Sequence, residues 1–252
     1  MIRVVGLGPG DAELLTSQAA QALEWAEVVV GYKGYIELIA PETLQGKEVV
    51  ATGMTGEVPR SVAALDHAAA GKRTVVVGSG DAGVYGLAGL VMELAVTQEA
   101  WCNIEIEVVP GIPAVIAAAA LLGAPLTHDF AVVSLSDLLT PWEVIEKRLL
   151  MGAQADFVLA LYNPRSKKRD WQLGRAREII LEHRDPTTPV GVVRNAYRPD
   201  QEAVLTSLRE LDIQLVDMFT ILLIGNSHSK VLHGRLVTPR GYFDKYEIDT
   251  DS

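Results

Sequence analysis

Apolar residues recur along the chain at two alternating spacings. Ile2 to Val5 is a short β-branched run that ends in Gly6-Leu7-Gly8-Pro9-Gly10. A helical stripe follows through Leu15, Ala19, Ala22, Leu23 and Ala26, with Thr16 or Ser17 as its cap. Val28 to Val30 reads as a second strand, and Ser61 to Ala70 as an alanine-rich helix stopped by Gly71. Thr74 to Val77 is a buried strand that runs into Gly78-Ser79-Gly80-Asp81, and Ile104 to Val109 alternates apolar with acidic residues as a half-exposed strand does. Strands alternating with helices predict an α/β domain with a mostly parallel sheet.

A helix over Ala114 to Leu122 meets Gly123-Ala124-Pro125, a strong stop, and the domain boundary is expected there. The chain then divides into an N-terminal α/β domain (1–123), a C-terminal α/β domain (124–243) and a polar tail (244–252). The second half carries strands at Phe130 to Ser134, Phe157 to Tyr162, Val190 to Asn195, Glu202 to Thr206 and Phe219 to Gly225, with helices at Pro141 to Leu150 and Asp170 to His183. Glu202 leaves a turn containing Pro199-Asp200, a hairpin-like arrangement, so this half is expected to be mixed. No internal repeat is visible.

Composition narrows the class. The 252 residues are 49% hydrophobic, enough to rule out a mostly disordered chain. The longest nearly uncharged run, Ile112 to Leu126, is broken by Pro113, Gly123 and Pro125 and is too short to span a membrane. The first residues lack a signal pattern and carry Asp11 and Glu13, and the single cysteine, Cys102, excludes an internal disulfide and a thiolate-rich zinc site. A cytoplasmic protein with no membrane partner is the expectation. The net charge of −10 argues against a nucleic-acid partner. Pro164 to Asp200 departs from that balance, with nine basic residues against five acidic ones. This island is either a local site for a small polyanion or a solvated helix face.

The two glycine turns follow predicted strands, where open α/β sheets bind ligands. GLGPGD (6–11) fails the dinucleotide fingerprint, because Asp11 stands where a glycine is required and Pro9 lacks an N–H. GSGDAGVYG (78–86) has no Lys followed by Ser or Thr and is not a phosphate loop. Turns with an acid and no lysine suit a neutral or cationic ligand approached by main chain. S-adenosylmethionine is one such ligand, with Asp81 facing its positive end. Each turn alone is equally a tight strand-to-helix connection.

The ordered set GLGPGD (6–11), GSGDAGVYG (78–86), VPGIPA (109–114), LTHDF (126–130), LYNPRS (161–166), RNAYRP (194–199) and IGNS (224–227) resembles the tetrapyrrole methylases over nearly the whole chain, Ile2 to about Tyr242. Within that superfamily, SLSDLLTPW (134–142) and YNPRSKKR (162–169) are most similar to the ring-contracting precorrin-3B C17-methyltransferases of cobalamin biosynthesis. The resemblance implies two α/β domains with S-adenosylmethionine in the cleft between them, a precorrin substrate, metal-free or cobalt-containing, and a homodimer. It places Pro9, Ser79, Gly80, Asp81, Val84, Pro113, Ala114, Asn163 and Ala196 against the cofactor. Ser79 replaces the first glycine of the family's Gly-Gly-Asp segment, Pro113 lacks the N–H that relatives offer there, and Asn163 lies where relatives often have Met.

Methyl transfer from a sulfonium needs alignment more than acid-base chemistry, whereas ring contraction needs proton movement and a titratable group. His128 and Asp129 are the expected pair, against a bland reading as an exposed histidine and a turn cap. Ser134, Ser136 and Asp137 are the next candidates, Ser136 as a substrate contact, against a reading as the N-cap cluster before Pro141-Trp142. A precorrin is ringed by acetate and propionate groups, so Arg165 and Lys168 are expected on its carboxylates. No resident metal is expected. The rival readings are a sibling methylase acting at another carbon such as C11, a member modifying RNA or protein, and a non-enzymatic cofactor-binding protein.

Overall fold

A computed structural model describes residues 1–53 and 55–246; the rest of the polar tail expected at 244–252 lies outside the described residues. The chain forms two compact units, Met1–Ala114 and Val115–Ser252. The first contains β1 (Ile2–Gly6), α1 (Ser17–Trp25), β2 (Val28–Tyr32), the short helices α2 (Lys33–Ile36) and α3 (Pro41–Leu44), β3 (Glu48–Thr52), α4 (Glu57–Ala69), β4 (Thr74–Gly78), α5 (Ala88–Ala95) and β5 (Ile106–Val109). Its five strands are ordered β3-β2-β4-β1-β5, and every pairing is parallel.

The valine-rich strands are buried on both faces, as a parallel sheet between two helical layers requires. Val5, Val29, Val75 and Val77 pack with Ala19, Ala22 and Leu23 of α1. Val4, Val30 and Val76 pack on the other face with Ala64 and Leu65 of α4 and Val91 of α5. Thr16 caps α1, its hydroxyl accepting the Ala19 N–H at 3.1 Å. The chain leaves β1 toward the α1 face and leaves the adjacent β4 toward the α5 face. Neighbouring strands that exit to opposite faces make a topological switch point, where open sheets leave a crevice at their carboxyl ends.

The second unit begins with α6 (Ala114–Leu122), whose first residue closes the first unit. It continues through β6 (Gly123–Ala124), β7 (Phe130–Ser134), α7 (Trp142–Gln154), β8 (Val158–Tyr162), α8 (Gln172–Leu181), β9 (Pro189–Arg194), β10 (Glu202–Ser207), β11 (Thr220–Ile224), β12 (Lys230–Leu232), β13 (Arg235–Val237) and α9 (Tyr242–Lys245). The main sheet is ordered β10-β9-β11-β8-β7 and is mixed: β7 and β8 run parallel, while β11 is antiparallel to β8 and β9. A small sheet, β12-β13-β6, stands beside it. The contacts divide the chain upstream of the Gly123-Ala124-Pro125 stop because α6 packs against β8 and β9 of the second unit. Its Leu122 fills the space over Gly191 of β9, where a Cβ would stand 2.3 Å from Leu122 Cδ1, and the Val115 N–H donates to Tyr162 Oη at 2.9 Å.

No described helix is long and apolar enough to cross a membrane.

Candidate active site

In the first unit the turns after β4, β1 and β5 are tied together. Gly8 and Gly80 exchange hydrogen bonds, N–H to O at 3.0 and 2.7 Å, and the Leu7 N–H donates to Gly78 O at 2.8 Å. Contacts this close admit no side chain: a Cβ on Gly6 would stand 2.6 Å from Gly80 O, and one on Gly111 2.1 Å from the same atom. Asp81 completes the bracket. Its Oδ1 accepts the N–H groups of Gly83 (2.8 Å) and Val84 (3.1 Å), and its Oδ2 accepts the Gly111 N–H at 3.0 Å. Gly80 lies against Pro113 and Ala114. Pro9, Ser79, Gly80, Asp81, Val84, Pro113 and Ala114 therefore belong to the turns at one sheet edge, with Pro9 buried and Val84 exposed. Asp81 serves as a brace between turns in addition to carrying charge at the crevice.

The second unit builds its own edge where β7 and β8 end and β11 begins. Asn163 follows β8 with φ +50°, a left-handed conformation that asparagine tolerates better than most residues, and its Nδ2 donates to Ser134 Oγ at 3.0 Å. Ser134 Oγ also accepts the Ser136 N–H at 3.2 Å. The N-cap alternative for this serine cluster is not realised: Pro141 holds the cap position of α7, and no side chain bonds there. Buried Arg169 donates to Leu135 O (3.2 Å), to Asn163 O and to Met218 Sδ, joining three loops. Burial lowers its pKa, opposed by the charge of Asp137, whose carboxylate accepts from Gln172 at 2.9 Å. Ala196 lies between Asn195 and Tyr197, both at positive φ, in the turn after β9.

Most of the basic island is internal wiring. Arg165 donates to Ile213 O and Gln214 O at 3.1 Å and to Gln214 Oε1 at 2.8 Å. Arg175 pairs with Glu146 and Glu178, buried Arg184 with Asp156, and Arg194 with Asp217 at 2.8 Å. Arg177 donates to the carbonyls of Leu208 and Arg209. Lys167 and Lys168 stand exposed in the loop after β8. Charge counting does not distinguish these arginines from ligand-binding ones: Arg175, Arg184 and Arg194 have acidic partners, mostly far off in the chain, and Arg165 and Arg177 are satisfied by carbonyls that leave no complementary charge in the sequence.

His128 and Asp129 stand exposed just before β7, at the end of that strand opposite Ser134, so the fold does not bring them to the Ser134–Asn163 edge. The His128 Nδ1 accepts the Asp129 N–H at 2.8 Å. Among the described residues, no three His, Cys, Asp or Glu side chains gather as a metal site. Arg60 and Arg169 are buried and bonded to carbonyls, a hydroxyl and a thioether, so their burial likewise escapes a sequence reading.

A family model described as the tetrapyrrole (corrin/porphyrin) methylases matches residues 1–212. The chain belongs to this family. It is 48% identical, over 96% of its length and 99% of the relative's, to a probable cobalt-factor III C(17)-methyltransferase of Salmonella typhimurium. A protein of the same name from Methanocaldococcus jannaschii is 43% identical over 98% of this chain and all of its own. Among tetrapyrrole methylases of known structure, the crystal structure of the methyltransferase CobJ superposes with a TM-score of 0.90 at 40% identity, covering 94% of this chain and 99% of that one. A uroporphyrin-III C-methyltransferase from Thermus thermophilus, complexed with S-adenosylhomocysteine, matches with a TM-score of 0.66 at 25% identity over 89% of this chain and 96% of that one.

The residues present suit the methyl donor of such a family. A Cβ on Gly78 would meet nothing within 4 Å, so a ligand has room to approach the main chain of the β4 turn. Neither glycine turn contains a lysine or arginine, and Asp81 places a negative charge there, which a sulfonium tolerates and a pyrophosphate does not.

Proposed function

We propose that this tetrapyrrole methylase transfers a methyl group from S-adenosylmethionine to C17 of cobalt-factor III, with ring contraction, in cobalamin biosynthesis. The observation that carries the reading is the end-to-end match to cobalt-factor III C(17)-methyltransferases. The bound donor supplies an electrophilic methyl group whose departure leaves a neutral thioether. An enamine-type ring carbon supplies the electron pair for the new C–C bond. The protein's task is therefore to hold the two in line. The braced turns at Gly6–Gly10, Gly78–Asp81 and Gly111–Ala114 do this with main chain, and Asn163 and Ala196 are further proposed cofactor contacts.

On the substrate side, exposed Lys168 offers its ammonium to a peripheral carboxylate. Ser136 and Arg165 shape the same loops, Arg165 with part of its fork engaged by Gln214. Proton movement during contraction needs a titratable group; the expected pair, His128 and Asp129, stands at the opposite end of β7 from the Ser134–Asn163 edge, so that movement is not assigned to them. Replacement of His128 by Ala is expected to leave both methyl transfer and contraction intact. The working form is a cytoplasmic homodimer, which light scattering of the purified protein tests.

Parallel incubations with S-adenosylmethionine and either cobalt-factor III or metal-free precorrin-3B, read by mass spectrometry, test the assignment. Methylation of the cobalt macrocycle supports it. Turnover of the metal-free macrocycle alone reverses the choice of substrate, and turnover of neither refutes the reading.

A further inference from the structure

A cavity of about 590 Å³ in the first unit is lined by Tyr32, Lys33, Glu37, Thr52 and Gly53 among others. It opens at the carboxyl ends of β2 and β3. Gly31 pairs with Val77, so Tyr32 lies beside the end of β4, and the cavity shares the sheet edge that carries the glycine turns, displaced by one or two strands. At about 4.8 Å per strand, that is within the span of one macrocycle.

Behind the cavity lies Arg60, only 3% exposed. Its Nε donates to Thr52 Oγ1 at 2.7 Å and its Nη2 to Gly53 O at 3.0 Å, both neutral acceptors. Among the described residues no carboxylate forms an ion pair with it. A buried guanidinium without a counter-ion is costly, and an anion drawn into the adjoining cavity offsets that cost. Thr52 is already an acceptor for Arg60, so its own hydroxyl hydrogen is left to donate. Its acceptor, Gly31 O, is a long 3.5 Å away. Lys33 is exposed at the rim, with Glu37 one helical turn along, so the lining itself carries one positive and one negative side chain, and the uncompensated charge is that of Arg60 behind Thr52.

We propose that this cavity is a carboxylate subsite, receiving one acidic side arm of the tetrapyrrole on the Lys33 ammonium and the Thr52 hydroxyl, with Arg60 as the positioning residue behind Thr52. The inference rests on the proposed methyltransferase function and adds to it a substrate contact made by the first unit.

The test titrates cobalt-factor III, and the same macrocycle with its carboxyls methyl-esterified, into the full chain by absorbance, with S-adenosylhomocysteine affinity measured alongside. Lys33 is on the surface, so Lys33→Ala preserves the fold. It is expected to weaken the acidic macrocycle by about tenfold or more, the size of a lost charge-assisted contact, and to leave the ester and S-adenosylhomocysteine unchanged. Glu37→Gln, which removes the opposing charge, is expected to tighten the acidic macrocycle. Equal binding of the acidic macrocycle by wild type and Lys33→Ala overturns the subsite, as does an equal loss for acid and ester. Failure of the wild type to bind either macrocycle overturns the functional reading together with the subsite.

Discussion

Asp81 Oδ2 accepts the Gly111 N–H at 3.0 Å, reaching from the turn after β4 to the turn after β5 across the end of β1. One carboxylate thus ties two turns, and the third, after β1, is held to the β4 turn by the Gly8–Gly80 exchange. Asp81→Asn keeps the shape but turns one acceptor into a donor facing an N–H group. The expected cost is about 1.5–3 kcal/mol of stability, with S-adenosylhomocysteine affinity down at least tenfold by calorimetry. Wild-type affinity in this variant contradicts a bracing role.

Two glycines at the same edge separate packing from ligand space. In Gly111→Ala the new Cβ meets Gly80 O at 2.1 Å, backbone that has nowhere to go, so a loss of about 1–3 kcal/mol or more is expected. In Gly78→Ala the Cβ meets nothing within 4 Å, and this variant is expected to melt with the wild type while binding S-adenosylhomocysteine more weakly. Thermal melts and calorimetry on the pair decide this, and unimpaired binding by Gly78→Ala removes the ligand from that turn.

Much of this edge is legible in the sequence because its turns consist of glycine, proline and one acid, which limits what can sit there. The Thr16 cap and the hairpin pairing of Glu202 with Arg194 are equally readable. The helix Ala88–Ala95 is not, since AGLVMELA is apolar almost all round and shows no stripe. The strand Glu48–Thr52 is hidden for the opposite reason: it is an edge strand with no fully buried residue. Arg60 and Arg169 cannot be recognised as buried from the chain alone, because their partners are mostly carbonyls, a hydroxyl and a thioether, which leave no complementary charge in the sequence.

Asn163 combines a backbone and a side-chain role. Asn163→Ala is expected to lose about 1–2 kcal/mol for the left-handed conformation and about 1 kcal/mol more for the bond to Ser134. Asn163→Gly recovers the first part only. Chemical denaturation of the three proteins should rank Asn, then Gly, then Ala, and equal stability of Gly and Ala refutes the backbone argument.

Burial alone would raise the Asp217 carboxyl, yet bonds from Arg194, the Phe219 N–H and Thr220 outweigh it and hold the pKa below the ordinary value. A depressed carboxylate stabilises the fold above its unfolded pKa of about 3.9 and loses that contribution as pH falls through the folded value. Wild type is therefore expected to melt above Asp217→Asn near neutral pH, with the gap closing in acid. A constant gap across that range contradicts the assignment. The side chain is partly exposed, so the gap is a modest one.

The most direct measurement is the carbon NMR spectrum of the product formed from cobalt-factor III and S-adenosylmethionine labelled in its methyl carbon. One labelled methyl on C17 of a contracted ring is the predicted result. A label on another ring carbon such as C11, or a macrocycle returned without label, contradicts the account.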